Sequence, residues 1–166
     1  TLDDLFFADV RLGASDEAPE MAYVGQEIPL EITVYVWERL RPRLSYPEVE
    51  IPDVSFRDYA AVNSTAPKFA PAEQDSSIRD GLAFFVARFR TRITPLKAGE
   101  LSGSARVVCR IHPETPNRTQ RRDLFDRFFA RDNGVQRVLT VDVPGTRVSP
   151  IPPPGPDAGT YLGLIG

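Results

Sequence analysis

The segment from residue 82 to residue 111 alternates apolar and polar side chains along almost its whole length, and this alternation is what most constrains the fold. Successive side chains of a β-strand point to opposite faces of the sheet, so a two-residue period predicts extended chain with one buried face. Residues 28–36 have the same period, with isoleucine, leucine or valine at every second position. Pro95 and Gly99 interrupt the longer segment, because proline cannot donate a hydrogen bond within a central strand. The chain therefore has to bury its apolar side chains on sheets.

Seven segments have the composition or the alternation of strands, and turns rich in proline and glycine separate them. They cover residues 5–12, 28–36, 48–51, 55–61, 82–94, 101–111 and 135–143. We interpret the fifth and sixth segments as a hairpin, and residues 62–77 as an exposed loop. The pattern predicts an all-β fold, an immunoglobulin-like antiparallel β-sandwich of about seven strands with one short helix before the last strand.

The predicted helix lies in the connection before residue 135. There Leu124, Phe125, Phe128 and Phe129 recur at helical spacing, while charged residues occupy the other positions. A helix this short is marginal without tertiary packing, which favours a helix packed over one end of the sandwich. Its phenylalanines could instead face a partner protein or a membrane surface.

The C-terminal residues differ in composition from the rest of the chain. Proline and glycine dominate residues 147–156, as is typical of a stiff linker. We therefore expect residues 1–146 to form the immunoglobulin-like domain, and residues 147–166 to form a proline-rich linker and the start of a following domain.

The charge balance argues against a nucleic-acid partner. The 166 residues include 20 Lys and Arg against 23 Asp and Glu, a formal net charge of −3, whereas nucleic-acid-binding domains usually have a basic excess. Cys109 is the single cysteine, so the chain cannot form an internal disulfide. A chain of this length buries roughly 70% of the surface that its unfolded form exposes, so it does not need a disulfide or a metal to fold.

A row of arginines occupies every second position of the strand at residues 82–94. Arg88, Arg90 and Arg92 should lie on one face, about 6.7 Å apart. Such a stripe could track phosphates. We prefer the solvated face of an antiparallel sheet, on which acidic residues of neighbouring strands, with Glu31 and Glu48 as candidates, pair with the arginines. On this interpretation, replacing all three arginines with serine leaves the fold intact.

The residue types that carry catalysis are few and lack the motifs that accompany them. Cys109 lies within an apolar alternation, which predicts a buried and inert thiol. His112, the single histidine, follows the strand and has no nucleophile motif beside it. We therefore expect no enzymatic activity, no catalytic residues, no metal site and no cofactor, and we keep an enzyme using Cys109 or His112 as a third hypothesis.

Five stretches, in this order, resemble the BatD family of bacterial aerotolerance proteins, also called oxygen-tolerance proteins. They are DLFFADV, MAYVGQEIPLEITVYV, FRTRITPLKAGELSGSARV, DLFDRFFAR and VSPIPPPGPDAGTYLGLIG. Together they cover most of the chain. Arg88 and Arg90 depart from the family pattern, which has aromatic or aliphatic residues there, and residues 38–80 match none of its motifs.

This resemblance implies an exported protein with tandem immunoglobulin-like domains in the periplasm, tethered to the membrane by a segment outside this chain. Its implied partners are von Willebrand factor A-domain membrane proteins and a MoxR-type ATPase system. The function implied is a non-enzymatic extracytoplasmic protein-interaction domain, acting in an envelope complex. The residues that we expect to contact a partner are Arg88, Arg90, Arg92, Phe125, Phe128 and Phe129.

The alternative hypothesis is a carbohydrate-binding β-sandwich module of a larger secreted enzyme. Tyr35, Trp37, Tyr46 and Tyr59 would supply a flat aromatic platform for sugars. A glycan array without hits, together with burial of these four rings, would remove this hypothesis.

Overall fold

The computed structural model describes residues 2–13, 21–61, 68–112 and 135–150. A four-residue helical turn, α1 (Leu2–Leu5), precedes ten strands, and a 3-10 turn, Glu38–Leu40, follows the third. The strands are β1 (Phe6–Leu12), β2 (Met21–Tyr23), β3 (Ile28–Trp37), β4 (Arg43–Leu44), β5 (Glu48–Glu50), β6 (Val54–Phe56), β7 (Glu73–Arg79), β8 (Leu82–Pro95), β9 (Gly99–Ile111) and β10 (Val135–Ser149). The described chain is all-β, as the alternation predicts.

The strands form two sheets of five strands each. In the first sheet the order is β1, β3, β8, and both β6 and β7 pair with the far side of β8. All these pairs are antiparallel. The short β6 pairs with the C-terminal end of β8 and β7 with its N-terminal half, so the two share one edge of the sheet.

The second sheet has the order β2, β10, β9, and both β4 and β5 pair with the far side of β9. Strands β9 and β10 form a long antiparallel pair whose register shifts between Val143 and Thr146, which indicates a bulge. Strand β2 runs parallel to the end of β10. Each sheet therefore consists of three neighbouring strands, and two further strands share the edge beside the third.

One hydrophobic core lies between the two sheets. The first sheet contributes alternate residues of β3 and β8, among them Ile32 and Phe89, and the second contributes alternate residues of β9, among them Val107 and Cys109. These positions are the apolar faces that the two-residue period predicts. Strand β1 also packs against β10, which closes the layers along one side.

The expected hairpin of residues 82–94 and 101–111 is wrong. Strand β8 pairs with β3, β6 and β7, whereas β9 belongs to the other sheet. Both sides of β8 already carry partners, so the short connection after Pro95 crosses between the layers. Pro95 and Leu101 are both buried where the chain crosses.

The expected exposed loop at residues 62–77 is also wrong in its C-terminal part. Residues 73–77 belong to β7, which forms a hairpin with β8 through Asp80 and Gly81. Both turn residues have positive φ angles, of 51° and 77°, as a two-residue hairpin turn of type I′ requires. Phe69 is buried as well, and its ring lies near those of Tyr46 and Phe89.

The last strand extends past its predicted end at residue 143, through Ser149. Residues 147–149, which we assigned to the linker, pair with β2. The predicted helix, with Phe125, Phe128 and Phe129, lies outside the described residues. The helical residues of the described part are limited to α1 and the 3-10 turn.

Candidate interaction surface

The arginine row lies on the outer face of the first sheet and is paired with acidic residues. Arg90 lies at the centre, with its Nε 2.8 Å from Glu31 Oε2 and its Nη1 2.8 Å from Glu73 Oε2. Arg88 Nη1 lies 3.6 Å from Asp75 Oδ2. The acidic partners come from the strands on both sides of β8, as expected for cross-strand pairs.

Arg92 and the ends of the row extend the same network. Arg92 Nη1 lies 3.6 Å from Glu27 Oε1, which also lies 3.8 Å from Arg57 Nη1. Arg11 Nη2 lies 3.8 Å from Glu31 Oε1. The face therefore interleaves positive and negative side chains, and a continuous basic stripe does not form among these paired residues.

Glu31 contacts Arg90, Arg11 and Thr33 within this network. Burial alone would raise the pKa of its carboxyl, but the hydrogen bond and charge of Arg90, the charge of Arg11 and a bond from Thr33 together hold it below the ordinary value of 4.5. The prediction that Glu31 pairs with the row is confirmed. The prediction for Glu48 is wrong, because Glu48 belongs to β5 and lies 3.2 Å from Arg106 on the second sheet.

The other end of the same face is aromatic. Phe7 stacks on Tyr35 with ring centroids 4.9 Å apart, and Phe84 meets Phe7 edge to face at 5.7 Å. The Arg79 guanidinium lies 4.5 Å from the Tyr35 ring centroid and 5.5 Å from that of Phe7. These contacts bury Phe84 although it lies on the outer face of the sheet.

The four aromatic residues of the carbohydrate hypothesis do not share one surface. Tyr35 lies on the outer face, in contact with Phe7 and Arg79. Tyr46 lies on the core side of β8, where it meets Phe89 and its hydroxyl accepts a hydrogen bond from the Ala72 N–H. The flat platform that the hypothesis needs is therefore not formed by these residues.

Cys109 faces the core and is fully buried, as the sequence predicts. Burial raises the pKa of its thiol to about 11. A thiol with that pKa is almost entirely protonated at neutral pH, and the thiolate is the reactive form. Cys109 is therefore unsuited to nucleophilic chemistry.

His112 directly follows the last residue of β9. Its backbone N–H donates to Leu40 O at 2.6 Å, and its Nδ1 lies 3.2 Å from Arg41 O. These contacts tie the end of β9 to the turn after β3. Within residues 2–13, 21–61, 68–112 and 135–150, no three His, Cys, Asp or Glu side chains are grouped closely enough to hold a metal ion. None of the helices in those ranges is long and apolar enough to cross a membrane.

Strand β7 is an exposed edge of the first sheet. Six of its seven residues are exposed, and among the described residues it pairs with β8 alone. Arg79 and Leu82 flank the two-residue turn and form a hydrogen-bonded pair, so Glu73, Asp75 and Ser77 also bond to β8. The N–H and C=O groups of Gln74, Ser76 and Ile78 consequently point away from the sheet.

The middle N–H of this edge is held by a neighbouring side chain. The Ser76 N–H donates to Asp75 Oδ1 at 2.8 Å, which places a carboxylate where a further strand would otherwise pair. A charge at the edge is one of the means by which proteins limit unwanted strand pairing. The outward backbone groups of β7 can therefore pair with another strand, but the Asp75 carboxylate has to release the Ser76 N–H first.

An apolar groove lies beside this edge, between the two sheets. It has a volume of about 600 Å³, and Gln74 of β7 lines its rim. Its walls include Leu44, Tyr46, Ala72, Phe85, Ala87 and Phe89, and Arg43 also lines it. Ile78 lies on the same face of β7 as Gln74 and is 77% exposed. The groove and Ile78 both lie on the core-facing side of the β7–β8 hairpin.

Our sequence reasoning missed both the edge and the groove. Asp80-Gly81 is a strong hairpin signal that would have located β7, but the strand itself has no apolar alternation. Of the six residues predicted to contact a partner, Arg88, Arg90 and Arg92 lie on the outer face, and Phe125, Phe128 and Phe129 lie outside the described residues. No protein-family model, curated protein or solved structure matches the chain.

Proposed function

We propose that this chain is a non-enzymatic protein-interaction domain of immunoglobulin-like type, and that it docks an extended segment of a partner along β7. We further propose that it belongs to a membrane-anchored, periplasmic protein like those of the BatD family. The observation that carries the docking proposal is an exposed seven-residue edge strand beside an apolar groove.

The order of the strands supports the immunoglobulin-like assignment. Immunoglobulin-type sandwiches place their first, second, fifth and fourth strands in one sheet and their third, sixth and seventh in the other. Counting β6 with β7 and β4 with β5 as divided strands, the first sheet has β1, β3, β8 and β6/β7, and the second has β4/β5, β9 and β10. Strand β2, which runs parallel to the end of β10, is an addition to this scheme. The crossing from β8 to β9 between the layers belongs to the same scheme.

Strand addition supports the choice of β7 as the docking edge. In that mode of recognition the backbone of an extended peptide supplies hydrogen bonds, and pockets beside the edge select its side chains. The outward groups of Gln74, Ser76 and Ile78 supply the backbone partners, and the groove next to Gln74 accepts an apolar side chain.

The chemistry of the surface favours a binding role over a catalytic one. The arginine row is engaged by Glu27, Glu31, Glu73 and Asp75. Cys109 is buried, and burial raises the pKa of its thiol.

The partners that the BatD resemblance suggests are von Willebrand factor A-domain membrane proteins encoded with a MoxR-type ATPase.

Site-specific photo-crosslinking, in the cells that naturally make this protein and its partners, tests this function. A photoreactive amino acid at Ser76, at the centre of the edge, should give an adduct that contains a von Willebrand factor A-domain protein. The same amino acid at Thr140, which is exposed on β10 of the second sheet, is the matched control. Mass spectrometry identifies the adducts.

An adduct with such a partner from Ser76 and not from Thr140 supports the proposal. The docking proposal fails if Ser76 yields no protein adduct, or if both positions yield the same adducts in equal amount.

A further inference from the structure

Strand β7 is complementary to itself. An antiparallel copy aligned about Ser76 places Glu73 opposite Arg79, Gln74 opposite Ile78 and Asp75 opposite Ser77. The same contacts recur on the other side of a two-fold axis, which is the arrangement of most homodimers. We infer that a second copy of this chain also occupies the β7 edge, so that two first sheets join into one continuous sheet; this rests on the proposed docking role of β7 and adds a second occupant of the same edge.

The hydrogen-bond pattern of β7 fits this alignment. Gln74, Ser76 and Ile78 are the residues whose backbone groups point away from β8, as the alternation along an antiparallel pair requires. With Ser76 on the axis, Ser76 bonds to the Ser76 of the second copy, and Gln74 bonds to its Ile78. Every outward backbone group of the strand centre therefore gains a partner, and the Asp75 carboxylate releases the Ser76 N–H.

The charges also fit. Glu73 uses Oε2 for its contact with Arg90, and its second carboxylate oxygen can accept a bond from Arg79 of the second copy. The Arg79 guanidinium lies 4.5 Å from the Tyr35 ring centroid, and this contact with a ring uses none of the guanidinium N–H groups as donors to a carboxylate. Two such ion pairs form, one on each side of the axis.

The apolar groups fit as well. Ile78 is 77% exposed, which is unusual for an isoleucine on a strand beside an apolar groove. In the pair it lies opposite Gln74 of the second copy, with Cβ atoms about 5 Å apart. Since Gln74 lines the groove, Ile78 lies at the mouth of the groove of the second copy and loses its contact with water.

The pair is expected to be weak. One strand pair with two side-chain contacts falls below the roughly 1,200 Å² of surface that stable complexes bury, so we expect a Kd on the order of 100 µM. The dimer also covers the edge that a second protein would use, and the two partners compete for it.

Sedimentation equilibrium of the 166-residue chain and its charge variants tests the inference. In a pair of Glu73→Arg chains, arginines lie opposite one another at positions 73 and 79 on both sides of the axis, and in a pair of Arg79→Glu chains two glutamates do. Each variant alone should therefore self-associate at least about ten-fold more weakly than the wild type. An equimolar mixture of the two variants places opposite charges together again, and its association should return to within about three-fold of the wild type.

Two further variants separate the pairing from folding. Glu50→Arg makes the same charge change on an exposed edge of the second sheet and should associate like the wild type. Ser76→Pro removes an N–H that does not bond to β8, so the variant should keep its circular dichroism spectrum and lose association.

A wild-type chain that stays monomeric at about ten times the expected Kd overturns the inference. So does a mixture of Glu73→Arg and Arg79→Glu that associates no better than either variant alone. If the chain is monomeric while Ser76 still crosslinks to a von Willebrand factor A-domain protein, the self-pairing fails and the proposed function stands. If neither is seen, both fail.

Discussion

Gly103 shows how closely the strands of the second sheet approach one another. A Cβ atom built at Gly103 overlaps the Glu50 carbonyl oxygen and lies 2.7 Å from Ile51 Cγ1. The backbone that follows β5 therefore passes directly over this position of β9, and only glycine leaves room for it.

Gly103→Ala should lower the free energy of unfolding by about 1–3 kcal/mol, because the added methyl forces the backbone after β5 away from β9. Urea denaturation measures the loss. Gly145→Ala is the matched control, since a Cβ there lies no closer than 3.7 Å to the Glu100 side chain and should change stability little. Equal losses in the two variants would show that the close approach at Gly103 does not exist.

The Cys109 thiol should not react with a thiol reagent while the chain is folded. With its pKa raised to about 11 by burial, only about one thiol in a thousand is ionised at pH 8. Its labelling rate should therefore follow unfolding as urea is added. Complete labelling within seconds in the absence of urea would contradict the buried position, and would reopen the hypothesis of a thiol enzyme.

At the scale of elements, the sequence was most informative where one face of a strand is buried. The alternation of residues 28–36 and 82–94 predicted β3 and β8 closely, because each packs one face on the core. Strand β7 has no such alternation, since six of its seven residues are exposed. An edge strand with two solvated faces leaves no two-residue period in the sequence.

The pairing of strands was harder to predict than their positions. Strands β8 and β9 are long, adjacent in sequence and joined by three residues, as the strands of a hairpin are. Strand β8 pairs with β3 on one side and with β6 and β7 on the other, so neither side is left for β9. These partners are distant in sequence from the β8–β9 connection, and the local sequence does not indicate them. The only local signal of a hairpin nearby, Asp80-Gly81, belongs to β7 and β8.

The acidic partners of the arginine row were predictable in type but not in full. Glu31 could be found because it alternates with core residues on the neighbouring strand. Glu73 and Asp75 lie on the strand that the sequence did not reveal. The groove is lined by residues from strands and loops that are distant in sequence, and no local alternation encodes their meeting.

Glu31→Gln should lower the free energy of unfolding by about 1 kcal/mol at neutral pH, because Arg90 and Arg11 lose their shared carboxylate. The folded-state pKa of Glu31 is depressed, so its contribution is fully present above the ordinary value of 4.5 and disappears as the pH falls through the folded-state pKa. The difference between wild type and variant should therefore shrink below about pH 4.5.

Urea denaturation at a series of pH values measures this difference. Glu73→Gln is the control, because that carboxylate is 55% exposed and its ion pair with Arg90 should contribute less. A difference for Glu31→Gln that grows as the pH falls would have the wrong sign, and would mean that Glu31 is not held in its charged form.

At the scale of the whole molecule, the two layers that the described residues form are closed on one side, and none of those residues closes the other. Strand β1 packs against β10 along the closed side. Along the other side the short strands β4 and β5 do not cover β7, and the apolar groove lies in the space between the layers. The exposed edge, the groove and Ile78 therefore lie on the same side of the molecule.

Amide hydrogen exchange along β7, followed by NMR in dilute solution, tests most directly whether this edge is available to a partner. We predict that the N–H groups of Gln74 and Ile78 exchange at least about ten-fold faster than those of Asp75 and Ser77, which bond to β8, and that this alternation disappears when a partner or a second copy binds. Gln74 and Ile78 amides that are already as slow as those of Asp75 and Ser77 in the dilute chain would show that the edge is covered, and would contradict the account.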